Sequence, residues 1–145
     1  MVSRFYKISV ACIFAMLFLT GCGLFSTVEE KPPYQPKPIE AQARAVTVAK
    51  NIPYNCKILW EVEGKDSSRG TRGATKTMLR EGAINDLRNE AYYVGGQGKR
   101  VMVNITKELC KVWNGNNWQS VDCNALQGNA LSYRIHAQVF DCGDR

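Results

Sequence analysis

Residues 74–96 read ATKTMLREGAINDLRNEAYYVGG, and this stretch decides the fold. Ile84, Leu87, Ala91 and Val94 recur at spacings of three and four, the period of one helical stripe, and Gly95 and Gly96 supply the stop. A single helix with a single apolar stripe needs a surface to cover, so its flanks are expected to build a sheet.

Upstream, Cys56, Ile58, Trp60 and Val62 alternate with Lys57, Glu61 and Glu63, with Leu59 the one apolar intruder; this predicts a half-buried strand. Downstream, Val101, Val103 and Ile105 alternate with Arg100, Asn104 and Thr106. A third alternation sets Leu131, Tyr133, Ile135, Ala137 and Val139 against Ser132, Arg134, His136 and Gln138. Residues 45–49 and 118–121 are shorter candidates. Strand, helix, strand order permits a right-handed parallel crossover. Residues 101–112 and 117–122 flank Asn114-Gly115-Asn116-Asn117, a run that tolerates φ > 0, so a hairpin adds antiparallel strands. The predicted class is α+β, one helix packed on a small mixed β-sheet and stapled by disulfides. Between strand and helix, residues 67–73 form a polar loop carrying Arg69 and Arg72.

The N-terminus carries a second kind of signal. Arg4 and Lys7 precede an apolar run over residues 8–19, too short for a hydrocarbon core that needs about 20 apolar residues. The run closes on Leu19-Thr20-Gly21-Cys22, which has the form of a lipobox. Residues 1–21 are therefore expected to be an export signal removed before Cys22. In the lipoprotein pathway that this motif resembles, the Cys22 sulfur takes a diacylglyceryl group and the new amine is acylated, for instance with palmitate. At about 0.8 kcal/mol per buried methylene, two or three acyl chains make release negligible. Gly23, where Asp marks inner-membrane retention under enterobacterial sorting rules, points to the periplasmic face of the outer membrane. Residues 29–38 carry four prolines, which fix φ and remove donors. Residues 22–44 are accordingly expected to form an extended spacer, with a globular periplasmic domain over residues 45–145.

A domain of about a hundred residues has a thin stability margin, and covalent staples matter. Of six cysteines, Cys12 leaves with the signal and Cys22 takes lipid, so Cys56, Cys110, Cys123 and Cys142 remain in an oxidising compartment. Four cysteines allow three pairings. The hairpin brings Cys110 near Cys123, which leaves Cys56 with Cys142. No Cys-x-x-Cys pair supports thiol exchange, and no pair of close thiols with a neighbouring histidine supports a metal site, so neither metal nor cofactor is expected.

Removing residues 1–21 takes away Arg4 and Lys7 and no acid, so the formal charge falls from +6 to +4. Basic residues are scattered among acids without interleaved aromatics, which argues against nucleic acid. Lys99, Arg100, Arg69, Arg72, Lys76 and Arg80 are candidates for meeting lipopolysaccharide phosphates or an acidic partner, or simply for a solvated face. His136, the single histidine, falls on the polar side of its strand; Glu61 and Glu63 share a strand side but suit solvation. No serine elbow or phosphate loop occurs, and no catalytic residue is assigned. Trp113 and Trp118 would lie opposite one another across the hairpin turn, either as a stabilising cross-strand pair or as an aromatic contact for a partner or for sugar rings.

Cys56, Trp60-Glu61-Val62-Glu63-Gly64, Asp86-Leu87-Arg88-Asn89-Glu90-Ala91-Tyr92, Val94-Gly95-Gly96 and Tyr133-Arg134-Ile135 running to Cys142 together resemble a family of small uncharacterised Gram-negative lipoproteins. More distantly, residues 45–142 resemble the RcsF family of outer-membrane lipoproteins that sense envelope stress. The resemblance implies one helix against a small sheet, two disulfides and work through protein contacts. RcsF-like chains cluster their last three cysteines, whereas Cys142 here lies 19 positions after Cys123, so the fold and compartment are carried over and the partner surface is not. The expected function is that of a cell-envelope lipoprotein, anchored to the membrane by lipid, that acts on an envelope protein partner in stress sensing or scaffolding. The alternative is binding of peptidoglycan or lipopolysaccharide, or service as an accessory subunit of a secretion or transfer machine.

Overall fold

A computed structural model describes residues 29–144. The export signal over residues 1–21 and the lipidation site Cys22 lie outside the described residues. The chain divides into two units, Met1–Glu30 and Lys31–Arg145, and the second carries the helix and the sheet.

A 3-10 turn, Gln42–Ala45, leads into β1 (Thr47–Val48), then β2 (Lys57–Ser67), α1 (Lys76–Gly95), β3 (Lys99–Trp113), β4 (Trp118–Asp122) and β5 (Ser132–Asp144). The sheet runs β1-β3-β5-β2, with β4 beside the far half of β3. β5 pairs antiparallel with both β2 and β3, while β1 pairs parallel with β3. β2 and β3 consequently run in the same direction on either side of β5, so the parallel crossover expected through the helix is present with one strand inserted into it. The clean alternation of β5 explains its central place: Tyr133, Ile135, Ala137 and Val139 are all buried on the helix side.

Thr75 caps α1, its hydroxyl accepting from the Met78 amide at 3.2 Å, and Gly96 ends it at φ 82° with its amide donating to the Tyr92 carbonyl. The buried stripe is Leu79, Ala83, Leu87 and Ala91, rotated from the expected one: Ile84 is half-buried and Val94 exposed. Gly64 sets that rotation. A Cβ there would run into the Ala83 carbonyl and the Leu87 amide, so the helix backbone rests directly on β2 where a side chain is missing. Around this contact Leu79, Leu87, Val46, Val101, Val103, Ile135 and Val139 close the core.

Both disulfides form as expected. Cys110 and Cys123 are joined across the base of the β3–β4 hairpin, and Cys56–Cys142 ties the approach to β2 to the end of β5.

Two expectations are corrected. The first is the face of β2. The register slips by one residue between Ile58 and Trp60, so Ile58 stands opposite Phe140 while Trp60 stands opposite Val139. Leu59, the apolar intruder, is the extra residue of a bulge, and one extra residue sends the flanking side chains to opposite faces. Ile58 is 57% exposed and Trp60 68% exposed, where alternation predicts burial.

The second is the spacer, for the domain begins near residue 31 and not at 45. Residues 31–46 form a strap along α1. Pro33 bridges Arg72, and Tyr34, only 6% exposed, reaches into the core. Its hydroxyl donates to Oδ2 of Asp66 at 2.5 Å, and the Lys37 amide donates to the same oxygen at 3.0 Å. Asn85 and Asn89 donate to the carbonyls of Lys37 and Pro38, and Arg88 to those of Val46 and Arg44. Prolines exclude helix but leave carbonyls free to accept, and the polar side of α1 supplies the donors. Gly82 leaves room for Asp66, since a Cβ there would fall on its carboxylate.

Candidate functional site

The register across the sheet gives the domain two distinct ends. Ser67 of β2, Ser132 of β5 and Lys111 of β3 stand abreast at one end. The β3–β4 hairpin projects beyond that line, and the strap begins at the same end, where Tyr34 donates its amide to the Arg72 carbonyl at 2.9 Å. At the other end lie the start of β2 and the C-terminus of α1.

At this second end, Trp60, Val62 and Val94 line a cleft of about 570 Å³ between β2 and α1, with Glu61, Asp86 and Glu90 on its rim. Lys37 of the strap enters it and pairs with Asp86 at 3.1 Å. β2 is the edge of the sheet, so Ile58, Leu59 and Trp60 surround an edge whose helix-side cover stops short. An exposed aromatic and aliphatic group with a polar rim is the form of a contact surface. Alternation alone hid these residues, and the signal that exposes them is Leu59, which breaks the pattern.

The hairpin tip is the other exposed aromatic feature. Trp113 and Trp118 are directly opposed in register, with ring centroids 5.3 Å apart, and are 53% and 48% exposed. Asn114 shapes the turn by accepting from the amides of Asn116 and Asn117 at 3.0 and 2.8 Å, and Gly115 takes φ 99°. The cross-strand pair expected from the sequence is thus formed, and it remains accessible.

The remaining candidates are dispersed. Glu63 faces Arg134 at 3.4 Å and His136 at 3.7 Å on the uncovered side of the sheet, while Glu61 stands opposite Gln138. The six basic residues do not converge on one patch. Lys76 holds the carbonyls of Cys123 and Leu126, Arg100 that of Cys142, Arg72 that of Lys31, and Lys99 pairs with Asp144 at 2.6 Å. Arg80 clamps Glu108 with two hydrogen bonds of 3.1 and 3.0 Å, and the Tyr133 hydroxyl donates to the same carboxylate. Burial opposes ionisation of Glu108, but the bonds from Arg80 and Tyr133 outweigh it and hold the carboxyl below its ordinary value. Burial, then the neighbouring carboxylate, raises the hydroxyls of Tyr133 and of Tyr34 well above the usual phenol range. A cleft of about 480 Å³ beside this group is lined by Val48, Lys50, Asn104 and Asn124. Among the described residues, no cluster of three or more His, Cys, Asp or Glu is arranged to hold a metal ion, and no helix is long and apolar enough to cross a membrane.

Residues 37–142 match the model of a family described as a domain of unknown function, DUF4156. No curated protein and no solved structure matches the chain.

Proposed function

The chain belongs to the DUF4156 family, and from this premise and its own residues we propose that it is a lipoprotein of the cell envelope that works by docking a protein partner. Cys22 holds it on the periplasmic face of the outer membrane through acyl chains. The lipobox over residues 19–22 supports the anchor, and two disulfides suit an oxidising compartment. Sensing or scaffolding in the manner of the RcsF-like lipoproteins is part of this reading, and catalysis is not.

The observation that carries the proposal is the exposed Trp60 and Val94, which with Val62 line the cleft at the end of the domain where β2 begins. Its rim bears Glu61 and Glu90 beside a Trp60 ring, which fits a partner segment that is apolar with flanking lysine or arginine. The test is cross-linking capture from intact cells producing the tagged, lipidated protein, with Cys22→Ser and Trp60→Ser in parallel. A discrete envelope protein recovered with the native chain and reduced about tenfold by Trp60→Ser, at unchanged thermal stability, is the expected result. Recovery of peptidoglycan fragments or lipopolysaccharide with no stoichiometric protein would replace docking with envelope binding.

A further inference from the structure

We propose that the Trp113/Trp118 hairpin tip dips into the interfacial layer of the bilayer that carries the Cys22 anchor. The inference rests on the lipid anchor of the proposed function and adds to it a membrane-contacting surface and an orientation.

Three observations lead there. The first is placement. The strap starts beside Arg72, in the loop that follows Ser67, at the same end of the domain as the tip, which lies beyond the line of Ser67, Ser132 and Lys111. The second is chain length. Because residues 31–46 are bound to the domain, the chain leading from the anchor joins the domain near Lys31. Cys22 precedes Lys31 by nine residues, and at about 3.3–3.6 Å per residue the lipid cannot be more than about 30 Å from it. A spacer running to residue 44 would have left the domain free to tumble far from the surface; this tether does not.

The third is chemistry. Residues 112–121 read VWNGNNWQSV and hold no ionisable side chain, so bringing the tip among lipid headgroups desolvates no charge. Indole rings, apolar with one N–H, are favoured at the membrane–water boundary. Lys111, exposed one step behind the tip, is placed to meet phosphate. The other apolar group, around Trp60, sits about 30 Å away along the strands and has an acidic rim that anionic lipid would repel.

The three tryptophans serve as reporters. The matured full chain is reconstituted into phosphatidylethanolamine and phosphatidylglycerol vesicles with or without brominated acyl chains, after its mass has established acylation of Cys22. Trp60→Phe leaves only the tip, and Trp113→Phe/Trp118→Phe leaves only Trp60 while keeping an aromatic pair. In Trp60→Phe the emission should move to the blue by about 10 nm on vesicles and fall by about half with brominated lipid, as expected for interfacial indoles. The Trp60 emission of the double variant should change in neither respect. An acylated protein that floats with vesicles while its tip stays unquenched overturns the proposal and leaves the anchor standing, as does quenching of Trp60 instead. An unacylated Cys22 with no flotation overturns the anchor itself, and the inference with it.

Discussion

Tyr34→Phe removes one oxygen from a side chain that the Pro-rich composition of its neighbourhood assigns to a solvated spacer. In the structure that oxygen donates to Asp66 at 2.5 Å, and Asp66 is only 7% exposed. Asp66 keeps the amides of Lys37 at 3.0 Å and Ser67 at 2.7 Å, so both carboxylate oxygens retain a donor and the loss is one hydrogen bond to a carboxylate. Such a bond contributes about 1.5–3 kcal/mol. We expect Tyr34→Phe to cost about 2 kcal/mol, and for a domain of this size that lowers the melting temperature by about 10 °C. Urea unfolding followed by far-ultraviolet dichroism measures it. Asp66→Asn completes a cycle in which the two changes together cost clearly less than their sum. A surface substitution stays within about 0.5 kcal/mol. If Tyr34→Phe does so, residues 31–46 are not part of the cooperative domain, the point where the anchor chain joins the domain returns to residue 45, and the argument for a short leash fails.

Cys110–Cys123 closes a loop with a separation of 13, and breaking it should cost about 3 kcal/mol against between about 4 and 5 for Cys56–Cys142 with its separation of 86; paired serine variants in urea give the order directly. Gly64→Ala forces a methyl into the backbone of α1 at Ala83 and Leu87 and should cost at least about 1–3 kcal/mol, whereas Gly128→Ala, at a turn with φ 114° and no close neighbours, should cost less; thermal melts of the two variants compare packing with backbone strain. For Glu108 the folded carboxyl lies below its unfolded value, so its contribution is complete above about pH 4.3 and is lost as acid takes the pH down through the lowered folded value. Glu108→Gln should therefore flatten the acid limb of a stability profile, and an unchanged limb would mean that Arg80 does not hold the charge.

The helix, the hairpin and both disulfides were legible because each is signalled locally. A three-and-four spacing ending on Gly95 and Gly96 marks α1, Asn114 and Gly115 shape the turn, and once the turn joins Cys110 to Cys123 only one pair of cysteines remains. The place of β5 was not legible, since pairing between strands distant in sequence depends on which alternation is cleanest across the whole sheet. Nor was the helix stripe, which Gly64 turns toward Leu79 and Ala83 by admitting backbone contact. The exposure of Trp60 was obscured by a single residue. Leu59 enters the strand as an insertion, and period-two patterning has no way to represent an insertion except as a flaw in itself. The strap was misread because proline specifies an extended chain without specifying what the chain lies against. Tyr34 among the prolines, with Asn85 and Asn89 one helical turn apart, was the available clue.

The strap also links the two ends. It starts beside Arg72 at the tether, passes Asp66 through Tyr34 and Lys37, and at Lys37 becomes one wall of the cleft that holds Trp60 and Val94. Farther on, Glu40 donates its amide to Oδ1 of Asn89 and its carboxylate accepts from the hydroxyl of Tyr93, near the C-terminus of α1. On the proposed reading, a pull on the anchor loads the bonds from Arg72 to the Lys31 and Pro32 carbonyls first and Tyr34 next, and whatever loosens there reaches the cleft through Lys37 and its Asp86 partner. On the proposed reading, a domain held to the bilayer at one end and to a partner at the other carries in this strap a direct mechanical path between them. Tyr34→Phe then has a second consequence distinct from stability: it weakens the side-chain hold on that path while leaving Trp60, Glu61 and Glu90 untouched, so partner capture at low temperature should persist while its dependence on the lipid anchor changes. Capture that is lost in step with unfolding, and at no milder condition, would mean that the strap only stabilises the fold.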